Sequence, residues 1–152
     1  MGTVLPLGTT RTINCWGKRM LDLSAYKILV VDDDPDAREF ICTVLSDSNA
    51  TVVEARDGVE ALEVARREHP DLVTLDITMP EKTGSEVYEE MRQDENLQDI
   101  PVCIVSGQPE LRRLIYQRVV PPPDGYLDKP IHEDAILRSV RKILALASKR
   151  DS

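Results

Sequence analysis

Five short apolar runs punctuate the chain: KILVV (27–31), TVVEA (51–55), DLVTLD (71–76), PVCIVS (101–106) and GYLD (125–128). The middle runs are apolar at nearly every residue instead of alternating, which is the pattern of strands covered on both faces. Between the runs the period changes. Ala37, Phe40, Ile41, Val44 and Leu45 fall at i, i+3, i+4, i+7 and i+8, and Val59, Leu62 and Ala65 repeat the stripe with Glu60, Glu63 and Arg67 off it. Both stripes are expected to face a core. Weaker helical signals cover residues 83–93, 109–119 and 133–147, the last with Ile136, Val140, Ile143 and Leu144 on one side. The punctuation agrees: His69-Pro70 stops the second helix, Ile100-Pro101 precedes the fourth strand, and Pro109 suits a first helical turn. Five strands alternating with five helices predict an α/β protein, a doubly wound five-stranded parallel sheet with helices on both faces.

In such a sheet ligands bind at the carboxyl ends of the strands, near the point where strand order reverses. The first strand ends in Asp32, Asp33 and Asp34, the third in Asp76, the fourth in Ser106 and Gly107, and the fifth in Asp128, Lys129 and Pro130. One aspartate after a strand is usually a helix cap, and Asp34 or Asp36 suits that role because Pro35 fits the first helical position. Asp32, Asp33 and Asp76 together need another reason. Two carboxylates about 4 Å apart repel by roughly 4 kcal/mol at an effective dielectric of about 20, and a divalent cation removes the conflict. Oxygen ligands in this number suit Mg²⁺, which often completes its shell with waters and a phosphate. Lys129 is a suitable point charge for a phosphoryl oxygen, although a lysine beside buried acids can also be a plain ion pair. A serine at a strand end is more often a cap than a ligand, yet Ser106 beside Gly107 offers a hydroxyl and an unobstructed backbone N–H.

Composition narrows the partners. The chain has 152 residues, near the size of one domain, with 41% apolar and 30% charged residues and no apolar run long enough to cross a bilayer. No membrane insertion is expected. A net charge of -8 argues against direct nucleic acid binding, which draws on clustered Lys and Arg. Cys15, Cys42 and Cys103 are odd in number and lack CxxC spacing, Cys42 and Cys103 sit in apolar segments as small core residues, and a reducing, cytoplasmic setting is expected. Residues 1–25 read as an N-terminal extension with no signal-peptide pattern, and 1–19 as an unstructured leader or a start assigned too early, weighed against a docked arm.

VVDDDP, DLVTLDITMPEKTG, CIVSG and GYLDKP, in this order and at these intervals, resemble the receiver domain of two-component response regulators, over residues 26–148, with 149–152 as a tail. The resemblance implies the flavodoxin-like receiver fold of the single-domain chemotaxis regulators. It implies that Asp76 accepts a phosphoryl group from a histidine kinase or histidine phosphotransfer protein, with no turnover chemistry beyond slow self-dephosphorylation. By the same resemblance Asp33 is the direct Mg²⁺ ligand, Asp32 acts through water, and the carbonyl of Thr78 is a third ligand. Ser106 and Lys129 grip the phosphoryl group, and Lys129-Pro130 is cis. The hydroxyl of Ser106 would move inward on phosphorylation and Tyr126 follow, reshaping the surface of residues 109–119, 125–128 and 133–147 for a downstream protein effector. Thr78, two residues beyond the acceptor, is placed to influence dephosphorylation. Pro121, Pro122 and Pro123 depart from the small-residue turn common in the family and stiffen this connection. With only SKRDS after the last helix, the expected output is by binding or onward phosphotransfer. Two alternatives stand beside this reading. A haloacid dehalogenase-like phosphatase would use Asp32, Asp34, Ser106 and Lys129 but leave Asp76 without a task, and a degenerate receiver would act as a binding module alone.

Overall fold

The computed structural model describes residues 11–13, 19–79, 82–108, 110 and 121–150. Arg11–Ile13 (β1) pairs antiparallel with Arg19–Leu21 (β2), and a 3-10 turn at Leu23–Ala25 leads into Lys27–Val31 (β3). Alternation follows: Pro35–Asp47 (α1), Thr51–Ala55 (β4), Gly58–Glu68 (α2), Leu72–Asp76 (β5), Gly84–Gln93 (α3), Val102–Ser106 (β6), Gly125–Asp128 (β7) and Glu133–Arg150 (α4). The helix expected over 109–119 falls, Glu110 excepted, outside the described residues.

The main sheet is parallel throughout, in the order β4-β3-β5-β6-β7. The chain leaves β3 for β4 on one side and then returns to β5 on the other, so strand order reverses between β3 and β5. Asp32 and Asp76 stand at the ends of these two strands.

Side chains alternate across the pleat and supply two cores. Leu29, Val31, Val73, Leu75, Val102 and Ile104 pack with α2 and α3 on one face, while Ile28, Val30, Leu72, Cys103 and Val105 pack with α1 and α4 on the other. Every residue of β5 and β6 is buried, as their continuous apolar character requires, whereas the edge strands β4 and β7 are partly exposed. The second core also takes in Leu23, fully buried ahead of β3. Burial pushes the thiols of Cys42 and Cys103 up to about 12, so neither is a thiolate at neutral pH.

Ile136, Val140, Ile143 and Leu144 of α4 are buried together, but two other members of the apolar stripes are not. Phe40 is 42% exposed and Val59 50% exposed. At about 100° per residue, Phe40 lies a quarter turn off the Ile41, Val44 and Leu45 face that α1 buries. It borders an open cleft with Ala37, Lys129 and Pro130 instead. On α2 the buried face is Ala61, Leu62, Val64 and Ala65, whose small alanines let the helix approach the sheet, and Val59 points away from it.

Candidate functional site

Three chain segments build the site. β3 ends at Val31, and the Asp32 N–H extends its pairing with β4 by donating to Ala55 O at 3.2 Å. The chain then turns: the Asp32 carboxylate accepts the Asp34 N–H at 2.9 Å, and Asp34 caps α1 by accepting the Asp36 N–H at 3.0 Å, with Pro35 in the first turn. Asp34, not Asp36, is therefore the cap. Asp32 is left buried, 1% exposed, and Asp33 exposed beside it.

β5 delivers Asp76 into the same space, 3% exposed. The Thr78 N–H donates to Asp76 Oδ1 at 3.1 Å. The start of α3 is pressed against the backbone of Asp76 itself, since a Cβ on Gly84 would lie 2.1 Å from Asp76 O and 2.7 Å from Ile77 Cα. No residue but glycine fits there.

From β7 comes Lys129, followed by a cis peptide bond to Pro130. Its N–H donates to Ser106 O at 2.9 Å, tying the ends of β6 and β7. Its ammonium bonds Asp32 Oδ2 at 3.1 Å and stands 3.7 Å from Asp76 Oδ2.

Carboxylate oxygens of Asp32, Asp33 and Asp76 all lie within 4.8 Å of one another. This donor set fits a hard divalent cation. Electrostatics point the same way. Burial, then the neighbouring Asp32 charge, push the Asp76 carboxyl up to about 7, against the opposing pull of Lys129. Burial alone would lower the pKa of Lys129, but Asp76 and Asp32 more than offset it and hold the ammonium above its ordinary range. One ammonium thus falls short of neutralising the pocket, and a cation would complete the balance.

Ser106 is 2% exposed, at the end of β6. Its hydroxyl is committed to Gln108, accepting the N–H at 3.0 Å and donating to the carbonyl at 3.1 Å. Tyr126 is half-buried on β7 and packs against the core under α2 and α3. Thr78 is exposed at the rim.

Two features escape a reading of the sequence. Arg38 of α1 donates to the carbonyl of Asp32 at 2.8 Å and to Glu54 of β4 at 3.1 Å. Its position four residues beyond Asp34 was a signal for a contact back to the loop, but many helices carry such an arginine on a solvated face. At the opposite end of the sheet, Arg92 stacks 4.8 Å over Tyr88, donates to Ile100 O at 2.9 Å and pairs with Asp124 at 3.3 Å. The Tyr88 hydroxyl donates to Pro121 O, so α3 holds the start of the three-proline turn. Asp124 is 32 residues from Arg92, too far for sequence spacing to reveal.

Strand order, switch-point acids and the opposing lysine define an acidic-pocket module of the doubly wound class. Residues 28–141 match the response regulator receiver domain family, and the chain belongs to it. The family is conventionally a switch module, and its scheme gives Asp76 a task that the phosphatase scheme does not. The chain is 33% identical to the chemotaxis protein CheY of Bacillus subtilis over 121 residues, covering 79% of this chain and 98% of that one. It is 34% identical to the response regulator MprA of Mycobacterium leprae, covering 83% of this chain and 54% of MprA. The chain spans about half the length, or less, of the first several curated relatives it matches. Among solved structures, the chemotaxis protein CheY4 of Vibrio cholerae superposes with a TM-score of 0.71 at 28% identity, covering 78% of this chain and 98% of CheY4. Among the described residues no helix is long and apolar enough to cross a membrane.

Proposed function

We propose that Asp76 accepts a phosphoryl group from a histidine kinase or histidine phosphotransfer protein in a Mg²⁺-dependent transfer, and that the new charge switches a surface read by a downstream protein. The observation that carries this reading is the convergence of Asp32, Asp33 and Asp76 within 4.8 Å, opposite the Lys129 ammonium. An Asp76 carboxylate oxygen attacks phosphorus, and the P–N bond to the donor imidazole breaks. The imidazole nitrogen keeps the electron pair and takes up a proton, leaving an acyl phosphate on Asp76. Asp33, Asp76 and the Thr78 carbonyl would hold Mg²⁺ directly and Asp32 through water. Bound there, Mg²⁺ would supply charge neutralisation for the equatorial phosphoryl oxygens. Lys129 holds one of these oxygens from the other side.

Switching requires the Ser106 hydroxyl to leave Gln108 for a phosphoryl oxygen, with Tyr126 moving into the space it vacates. Strand register supports this role: Val105 pairs with Asp76 and Ser106 with Asp128, so Ser106 ends the strand next to that of Asp76. Incubation with acetyl phosphate and Mg²⁺ should add one phosphoryl group to the wild type, seen by intact-protein mass spectrometry, and none to Asp76→Asn. Equal modification of both would remove Asp76 as the acceptor. Sustained Mg²⁺-dependent hydrolysis of a generic phosphate ester, unaffected in Asp76→Asn, would return the hydrolase reading.

A further inference from the structure

We propose that Arg38 is a positioning residue for the metal site, acting through the main chain and not through its charge. The inference rests on the Mg²⁺ reading above. The peptide joining Asp32 to Asp33 is planar, so the direction of its carbonyl sets the plane from which the Asp33 backbone, and with it the Asp33 carboxylate, departs. On the N–H side Asp32 is held by Ala55 O at 3.2 Å. On the carbonyl side the strand ladder has ended, and the Asp32 oxygen is taken by Arg38 Nη1 at 2.8 Å.

Arg38 is itself held. Its backbone N–H makes a first helical bond of α1 to Asp34 O at 3.0 Å, and its Nε donates to Glu54 Oε1 at 3.1 Å. The guanidinium therefore bridges α1, the acidic loop and β4, with a side chain 20% exposed. A planar fork with several donors can make both bonds at once, and an ammonium on a flexible stem cannot reproduce that geometry. Loss of the brace frees the Asp32–Asp33 peptide to rotate and lets the Asp33 carboxylate drift from the two buried acids.

The sign of the effect separates positioning from electrostatics. A positive charge near a cation site repels the cation, so charge alone predicts that removing Arg38 tightens Mg²⁺ binding. Positioning predicts that it weakens. Mg²⁺ binding to wild type, Arg38→Met and Arg38→Lys is measured by isothermal titration calorimetry at alkaline pH, with thermal unfolding of each apo protein alongside. Both variants should bind about tenfold more weakly, the scale of a lost partner behind a metal ligand. Arg38→Lys keeps the charge and the stem, and so provides the folded comparison if Arg38→Met does not fold. Binding of Mg²⁺ by Arg38→Met as tight as or tighter than wild type overturns the proposal, as does Arg38→Lys matching wild type. A lowered melting temperature with unchanged affinity would make Arg38 purely structural and overturn it too. If wild type binds no Mg²⁺, the metal reading itself fails; a failure confined to the variants leaves that reading intact.

Discussion

Lys129 reaches across the strand tips to stand 3.7 Å from the Asp76 carboxylate. At that separation it is an ion-pair partner without being a hydrogen-bond donor to the acceptor, because its short bond goes to Asp32 at 3.1 Å. The ammonium is therefore anchored on one acid and stands over the other, the placement the proposed phosphoryl transfer to Asp76 calls for.

Replacing Lys129 with alanine should leave phosphorylation of Asp76 by acetyl phosphate slowed but detectable, since the cation still serves the transfer. The conformational response should be lost in larger part. Amide hydrogen exchange over 102–108 and 125–140, with and without beryllofluoride and Mg²⁺, reports that response. A response equal to wild type would mean that Lys129 is structural alone.

The pH dependence of stability follows from the Asp76 carboxyl. The Asp76 carboxyl rises in the fold from its ordinary 3.8 to about 7, so between these values the native protein binds more protons than the unfolded chain. Asp76 therefore contributes a loss of apo stability as pH rises through this window, complete above about 7. The Asp76→Asn variant should lack this component, so the difference in melting temperature between variant and wild type should grow in the variant's favour toward pH 7 and then level off. Mg²⁺ competes with the proton. Saturating Mg²⁺ should raise the wild-type melting temperature more above pH 7 than at pH 5, by mass action on the folded state; a flat response at both would argue against the site.

Gly84→Ala places a methyl group 2.1 Å from Asp76 O. Because the obstacle is backbone and cannot rotate away, α3 must shift from the strand end. A cost at or above the upper part of the usual 1–3 kcal/mol range for overpacking, about 3 kcal/mol, is expected in urea unfolding. Mg²⁺ affinity should fall with it, as the displaced backbone carries Asp76. A variant as stable as wild type would contradict the packing described.

Arg92→Leu tests the brace at the other end of the sheet. The Arg92 side chain is 7% and that of Asp124 16% exposed. Truncation removes the guanidinium from a largely buried carboxylate that also accepts the Val102 N–H at 2.9 Å. The expected loss is about 3 kcal/mol. In a double-mutant cycle with Asp124→Asn the two losses should be clearly non-additive, and additivity would show that the pair is not coupled.

Much of this protein is written in local pattern. The five strands follow from apolar runs that only a doubly covered sheet can bury, and the tips carry Asp32, Asp33, Asp76, Ser106 and Lys129 in plain view. Three acids at the ends of two separate runs make sense chemically only if they meet, and strand order in the fold brings them together. Side-chain rotation about a helix is less legible: Phe40 and Val59 satisfied an apolar period yet are 42% and 50% exposed. A period of 3.6 states which residues share a face, but the elements packed against the helix decide where that face is centred and how wide it is. Contacts that depend on tertiary docking leave at most a faint trace in the sequence. Arg38 on the Asp32 carbonyl, Gly84 against the Asp76 carbonyl and Arg92 on Asp124 depend on distances set by helices docking on a twisted sheet. The identity of the reactive groups is thus a property of the chain, while their mutual distance and the raised Asp76 pKa arise when burial removes water from between them.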